Sequence, residues 1–232
     1  MGTADLRVDS MTKSAGVLVG VGRYGDHWHD YVATGCEVAR ILEDAGFNVR
    51  MSSLRAAGVA EMAPCDLLVV NAGFGEYNES VDGPTTEWDE AYTQLSTFRQ
   101  GGKPLLALHA AALSLKDFGE WHDWMGGSWV AGSSMHPPIA ASTVEVVDRS
   151  HPITAGLEEF EVYDEKYSYL DIAPDARTLA SHQFEGGTHP ILWVLEVAPG
   201  RVVYDALGHD RRSYRSATRR ELLRRSAEWL IS

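Results

Sequence analysis

KPLLALHAAALSLKDFGEW, from Lys103 to Trp121, sets a histidine where an apolar run gives way to small residues. Leu105 to Leu108 reads as a buried strand, and the alanines after His109 read as the start of a helical turn. Many α/β enzymes mount a nucleophile at such a strand-to-helix corner. The residues two before and two after the central one must then be small, because strand and helix crowd there. Ala107-Leu108-His109-Ala110-Ala111 meets that demand with an imidazole at its centre. No cysteine lies near His109 and the chain holds no G-x-S-x-G, so acyl transfer by a thiol or serine at this corner is not supported.

The flanking sequence makes the corner part of a parallel sheet. AGVLVG (15–20) is an apolar run, and YVATGCEVARILEDAG (31–46) carries apolar residues at helical spacing up to Gly46. FNVRMS (47–52) and CDLLVVNAG (65–73) read as two more strands. TTEWDEAYTQLSTFRQGG (85–102) reads as a helix capped by Thr86, answered by Asp89, and ended by Gly101-Gly102. Continuous apolar strands alternating with helices predict a parallel sheet covered on both faces. The second half changes character. STVEVVD (142–148), FEVYDEKYSYL (160–170), ARTLASH (176–182), PILWVLEV (190–197) and GRVVYDAL (200–207) read as short strands, and 218–230 as an amphipathic helix. One domain over 15–232 is expected, with 1–14 a tail or expression remnant.

The chain has 232 residues, 44% of them hydrophobic, and a formal charge of −13. That composition fits a globular domain able to bury a core. The acidic charge argues against nucleic acid and anionic membranes as partners. The arginines from Arg211 to Arg225 read as a solvated helix face. Cys36 and Cys65 form no C-x-x-C pair, no apolar run is long enough for a membrane span, and residues 1–14 lack the apolar stretch of a secretory signal. A cytoplasmic location is expected. A homo-oligomer is left open.

In open α/β sheets, function gathers beyond the carboxyl ends of the strands. Those ends here carry Gly20–Asp30, Gly73–Asn78, His109 and His209. GVGRYG (20–25) matches G-x-G-x-x-G, but DHWHD follows where a dinucleotide site needs the helix to open, and RMSS (50–53) lacks the ribose-binding acid. A nicotinamide site is therefore not expected. His27 and His29, with Trp28 between them as a sugar platform, are candidate substrate contacts. His136 follows a Gly/Ser-rich loop that reads as a lid. His151-Pro152 reads as structural, whereas His189-Pro190 gives no preference. Asp164 and Glu165 would point to opposite faces of a strand, so only one can reach the cleft. Glu165 with Tyr167 is the favoured pair, and Asp164 is left solvated or paired with Lys166 or an arginine. Gly208 permits a sharp turn that projects His209 over the sheet end. The catalytic candidates are thus His109, His209 and Glu165. The substrate-binding candidates are His27, Trp28, His29, His136, Tyr167 and Trp193.

LLALHAAALS, WMGGSWVAGSSMHPP, TVEVVDRSHPITAGL, FEVYDEKYSYL, HPILWV and GRVVYDALGH follow one another in an order that resembles ThuA-like proteins, over 15–230. That family is associated with the use of trehalose and related sugars. The resemblance implies a flavodoxin-like, class I glutamine amidotransferase-like three-layer sandwich, with a mainly parallel central sheet and mixed strands added in the C-terminal half. It also implies the loss of the glutaminase cysteine, with His109 in its place. The resemblance implies a sugar-related role, with chemistry on trehalose-type or 3-keto disaccharides alongside a partner oxidoreductase; the residues themselves suggest proton transfer by His109, His209 and Glu165 as the chemistry. Two other readings stand beside this one. One is a sugar-binding or regulatory module without catalysis. The other is a metal-dependent hydrolase using His27, His29 and His136. No cofactor is expected; a divalent metal is the less favoured reading.

Overall fold

The computed structural model describes residues 13–196 and 199–232. Most of the expected tail lies outside those residues; Ser14, which was assigned to it, already belongs to the first strand. That strand is β1 (Ser14–Val19), followed by α1 (Tyr31–Asp44), β2 (Asn48–Ser53), α2 (Ala56–Met62), β3 (Leu67–Asn71), α3 (Glu79–Asp82), α4 (Thr85–Gln100) and β4 (Leu105–Leu108). The second half holds α5 (Trp121–Met125), β5 (Gly127–Ser128), β6 (Ala140–Val146), β7 (Phe160–Asp164), β8 (Asp171–Ile172), β9 (Arg177–Phe184), β10 (Gly187–Leu195), β11 (Val202–Asp205) and α6 (Ala217–Leu230).

Nine strands form one sheet in the order β2-β1-β3-β4-β11-β10-β9-β6-β7. Strands β2, β1, β3, β4 and β11 are parallel, and the other four add antiparallel. The central strands LLVVN, LLAL and VVYD are buried along their whole length, as strands covered on both faces must be. The β6 pattern instead alternates, with Ser142, Val144 and Val146 inward, as expected where one face stays wet. Helices α1 and α6 pack together on one face, and α2 packs on α4 and β1, which gives three layers.

Several local features depart from the sequence reading. Helix α4 begins at Thr85 after Pro84, with no side-chain cap, so Thr86 and Asp89 lie within its first turns. Proline fixes the backbone at that entry, which sets the helix start earlier than the capping pattern suggests. The expected strand 160–170 stops at Asp164, and the residues after it form a loop whose one isolated β-bridge among the described residues is Met135–Ser168. Strands β9 and β10 join in a tight hairpin whose two central residues, Glu185 and Gly186, both have positive φ (48° and 76°). Such a turn matches the twist of the strands it joins. Pro190 sits inside β10 at a register shift, where its missing N–H is tolerated. The expected end of this strand, Val197, lies outside the described residues. Among the described residues, no helix is long and apolar enough to cross a membrane.

The register fixes where the site falls. Val19 pairs with Asn71, Asn71 with Leu108, and Leu108 with Asp205. The carboxyl ends of β1, β3, β4 and β11 therefore finish in one line, and the residues after them emerge along one rim. Behind that rim, Arg219 of α6 meets Asp205 of β11 at 2.9 Å, with both side chains fully buried. Arg219 also donates to Leu207 O (3.2 Å). Removing one partner of such a pair strands a charge in the core, whereas replacing both does not. Asp205→Ala is expected to lower the unfolding free energy by about 3–5 kcal/mol in urea denaturation. The double variant Asp205→Leu/Arg219→Met is expected to lose less than the single one.

Candidate active site

His109 leaves β4 with φ of +46°, a left-handed backbone that non-glycine residues rarely adopt. The small flanking residues make this feasible: Ala107, Ala110 and Ala111 are all buried, with no side chain to collide at the corner. Two contacts from the neighbouring strand hold it. Tyr204 Oη donates to His109 O (2.8 Å), and His109 Nδ1 lies 2.6 Å from Ala206 O. A carbonyl can only accept, so Nδ1 carries the proton and Nε2 of the neutral ring is bare. Nε2 faces Tyr167 Oη at 3.2 Å, His29 Nε2 at 3.1 Å and Glu165 Oε2 at 3.4 Å.

His29 arrives from the loop between β1 and α1. Asp26 organises that loop: it accepts from Trp28 N (2.9 Å), His29 N (3.0 Å) and Tyr31 Oη (2.6 Å). It also faces His29 Nδ1 at 2.7 and 2.9 Å. Burial opposes its charge, but the hydrogen bonds from His29 and Tyr31 outweigh that, so its pKa falls to about 2. Burial has the opposite sign on the imidazole and lowers the His29 pKa in spite of Asp26.

His209 follows the turn at Gly208, whose φ is +128°. Asp164, at the end of β7, accepts from Gly208 N (2.8 Å) and His209 N (3.1 Å), which fixes the turn. This corrects the expectation for Asp164: it is buried and bonded to backbone, not solvated or paired with Lys166 or an arginine. The strand alternation argument fails because β7 ends there, so Glu165 and Tyr167 reach the cleft from a loop. Glu165 is buried, with Oε1 3.2 Å from His209 Nδ1 and 3.5 Å from His136 Nδ1. Burial would raise its pKa, but the imidazoles of His109 and His209 outweigh it and hold the carboxyl well below its usual range. Burial likewise works against the His209 cation, but Glu165, with Asp164 and Asp210 behind it, raises its pKa.

These groups floor a cavity of about 490 Å³ lined by Asp26, Trp28, His29, His136, Glu165, Tyr167 and His209, with Phe74, Leu113 and Trp129 as apolar walls. Small-molecule clefts run from roughly 300 to 1,000 Å³. Trp28 is 68% exposed at the mouth, and His27 packs against it with ring centroids 3.9 Å apart. His27 itself is exposed and does not line the cavity, which corrects its expected role as a direct contact. Trp193 is a second correction. It is fully buried, bonds to Met125 O (2.8 Å) and stacks near Tyr204, so it cannot meet a substrate. The loop before His136 is pinned by Ser134 Oγ to Tyr169 O (2.8 Å) and by the Met135–Ser168 bridge, which does not suit a free lid. Cys36 lies on α1 and Cys65 just before β3, neither among the lining residues.

Asp26, Trp129 and Phe74 were not singled out by the sequence reading. Asp26 had a signal: an aspartate three residues before a histidine in a glycine-rich loop can form a side-chain turn. Trp129 stood in the GGSW stretch but carried no role there. Phe74 has no signal beyond its place after β3.

A family model described as ThuA, trehalose utilisation, matches residues 17–230, and the chain belongs to that family. Membership supports a role in sugar metabolism. Among solved structures, a ThuA-like protein from Parabacteroides merdae is 17% identical, with a TM-score of 0.76 over 95% of this chain and 90% of that one. A ThuA-like protein from Bacteroides uniformis is 15% identical, with a TM-score of 0.74 over 100% and 96%. A glutamine amidotransferase from Thermotoga maritima is 10% identical, with a TM-score of 0.56 over 95% and 99%. At these identities the likeness is one of fold, and the fold is glutamine amidotransferase-like. No curated protein matches the chain.

The Gly208 turn is the hinge of this geometry. A Cβ there would stand 2.8 Å from Tyr214 Oη on a backbone that L residues avoid. Gly208→Ala is expected to cost about 1–3 kcal/mol of stability. It should also displace the His209 ring, visible as a changed imidazole chemical shift in NMR spectra of the folded variant.

Proposed function

We propose that this member of the trehalose-utilisation family is an enzyme that moves a proton at, or beside, a carbonyl or hydroxyl of a trehalose-type or 3-keto disaccharide. The convergence of three imidazoles and one carboxylate on the floor of an aromatic-walled cavity carries this reading. A sugar presents apolar C–H faces and polar edges. Trp28, Phe74 and Trp129 suit the faces, and His29, His136, Glu165 and His209 suit the edges. Paired imidazole and carboxylate groups within hydrogen-bonding reach are the equipment of general acid–base catalysis. Glu165 lies between two imidazoles whose environments differ: His109 is buried beneath it, and His209 is partly open to the cleft. In this scheme the deep ring of His109, which lies beneath the cavity lining, positions Glu165 from below, while His209 and Glu165 exchange the proton with the sugar. A 3-keto group would acidify the neighbouring C–H, which suits a weak base. An oxidoreductase that makes such a ketone would be the natural functional partner.

The experiment is incubation with trehalose, other native disaccharides and their 3-keto derivatives, followed by product analysis. Turnover of at least one sugar is expected. Glu165→Gln is expected to lower kcat/KM about 10²–10⁴-fold, the usual range for a general acid–base group. Trp28→Ala should instead raise KM with little change in kcat. Saturable sugar binding without any product would sink the enzyme reading in favour of a binding module.

A further inference from the structure

The reach of the cluster goes beyond proton transfer. One ligand atom from each of His29, His109, Glu165 and His209 lies within 4.8 Å of all the others. The separations that stand closest are 3.1 Å between the two Nε2 atoms, 3.4 Å from His109 Nε2 to Glu165 Oε2, and 3.2 Å from His209 Nδ1 to Glu165 Oε1. A tetrahedral ion with ligand bonds of about 2.0–2.2 Å sets its ligand atoms about 3.3–3.6 Å apart. The four groups are therefore near the spacing that a metal would impose, with little movement needed.

The proton positions strengthen this. His29 Nδ1 faces the Asp26 carboxylate, and His109 Nδ1 faces the Ala206 carbonyl. Both partners only accept, so both Nδ1 atoms are protonated and both Nε2 lone pairs point at each other across 3.1 Å. Two facing lone pairs repel unless a proton or a cation lies between them. Tyr167 Oη, at 3.2 Å, can donate to the His109 lone pair but leaves the other bare. Nearby, Glu165 Oε2 and His209 Nδ1 are buried atoms with no hydrogen-bond partner among the described residues. Their contacts are close enough for charge attraction but poorly aligned for hydrogen bonds. An oxygen acceptor behind the ring, as Asp26 is for His29 and Ala206 O for His109, is the arrangement that fixes a metal-binding histidine in its tautomer and direction.

We infer that His29 Nε2, His109 Nε2, His209 Nδ1 and the Glu165 carboxylate form a site for one divalent transition ion of the zinc class. Three imidazoles and one carboxylate, with no thiolate, suit a borderline ion such as zinc over magnesium or calcium. The set is not the one suggested by sequence: His27 is exposed beyond the cavity, and His136 Nδ1 faces Pro137 O at 3.0 Å. Among the expected ligands only His29 takes part. The ion would sit on the floor of the cavity, where it could polarise a sugar oxygen. With the four ligand groups occupied, His136 is the imidazole left to exchange protons at the rim. The core does not depend on this ion, because the ligands hang from a sheet packed independently of them.

The inference stands on ligand geometry and is read by binding, so it can fail or hold apart from the sugar reading. The chelator-treated full chain is titrated with zinc chloride by calorimetry, with elemental analysis of the reloaded protein and circular dichroism to check folding. One zinc per chain is expected, with the fold kept after chelation. Glu165→Gln and His29→Asn should each weaken zinc at least tenfold. Asp26→Asn, which touches the ion only through His29, should weaken it about 10–100-fold. His27→Asn should leave the affinity unchanged. Absence of near-stoichiometric binding would overturn the site. So would binding that survives Glu165→Gln, His29→Asn and Asp26→Asn in folded protein.

Discussion

The left-handed backbone of His109 is the constraint around which the rim is organised. A residue in that conformation costs of order 1–3 kcal/mol and persists only when its surroundings over-determine it. Here β11 does so from both sides of the residue, through Tyr204 on the carbonyl and Ala206 on the ring. Those contacts exist because β4 and β11 pair in register, with Leu108 opposite Asp205. Strand order, register and corner geometry are thus one requirement. A slip in any of them would release the histidine.

Around this corner, each charged or polar group is set by a competition between burial and partners. Burial alone would discharge Glu165 and both neighbouring histidines. The carboxylates reverse this for His209 but not for His29, although Asp26 touches the His29 ring directly. Two imidazoles in one cluster therefore lean in opposite directions. Asp164 acts differently: its charge is spent on three backbone N–H groups, those of Glu165, Gly208 and His209, so it shapes the turn before it affects any ring. Among the described residues, Glu165 is the cavity-lining acid with a buried oxygen that has no hydrogen-bond partner.

The parallel half was legible because buried strands read as continuous apolar runs and the corner demands small residues. LLAL-His109, the Gly46 helix end and the Gly208 turn all follow from such local rules. The antiparallel half was less legible. FEVYDEKYSYL looks like one strand, but its pairing ends at Asp164, and nothing local marks where pairing stops. The short helices α2, α3 and α5 lack the length for a clear period. Trp193 looked like a sugar contact by residue type, and only the sheet shows that its ring faces the core. His27 and His29 have the same type and spacing, so Asp26 decides between them by binding one ring. For the same reason the convergence of His29, His109 and His209 could be guessed from strand-end logic but not measured: the distances belong to the register.

The flush strand ends have a consequence for how the protein is made. His29 lies in the first loop of the folded domain, His109 near its middle, and His209 in the segment between β11 and α6. Bringing them together closes long loops, and such contacts are costly in chain entropy until the intervening sheet exists. The cluster should therefore be among the last features to assemble. Collapsed precursors can bury β1, β3 and β4, but without β11 they have neither the brace for His109 nor the turn that carries His209. Competence is in this way a certificate of completed folding, withheld from every partial form of the chain.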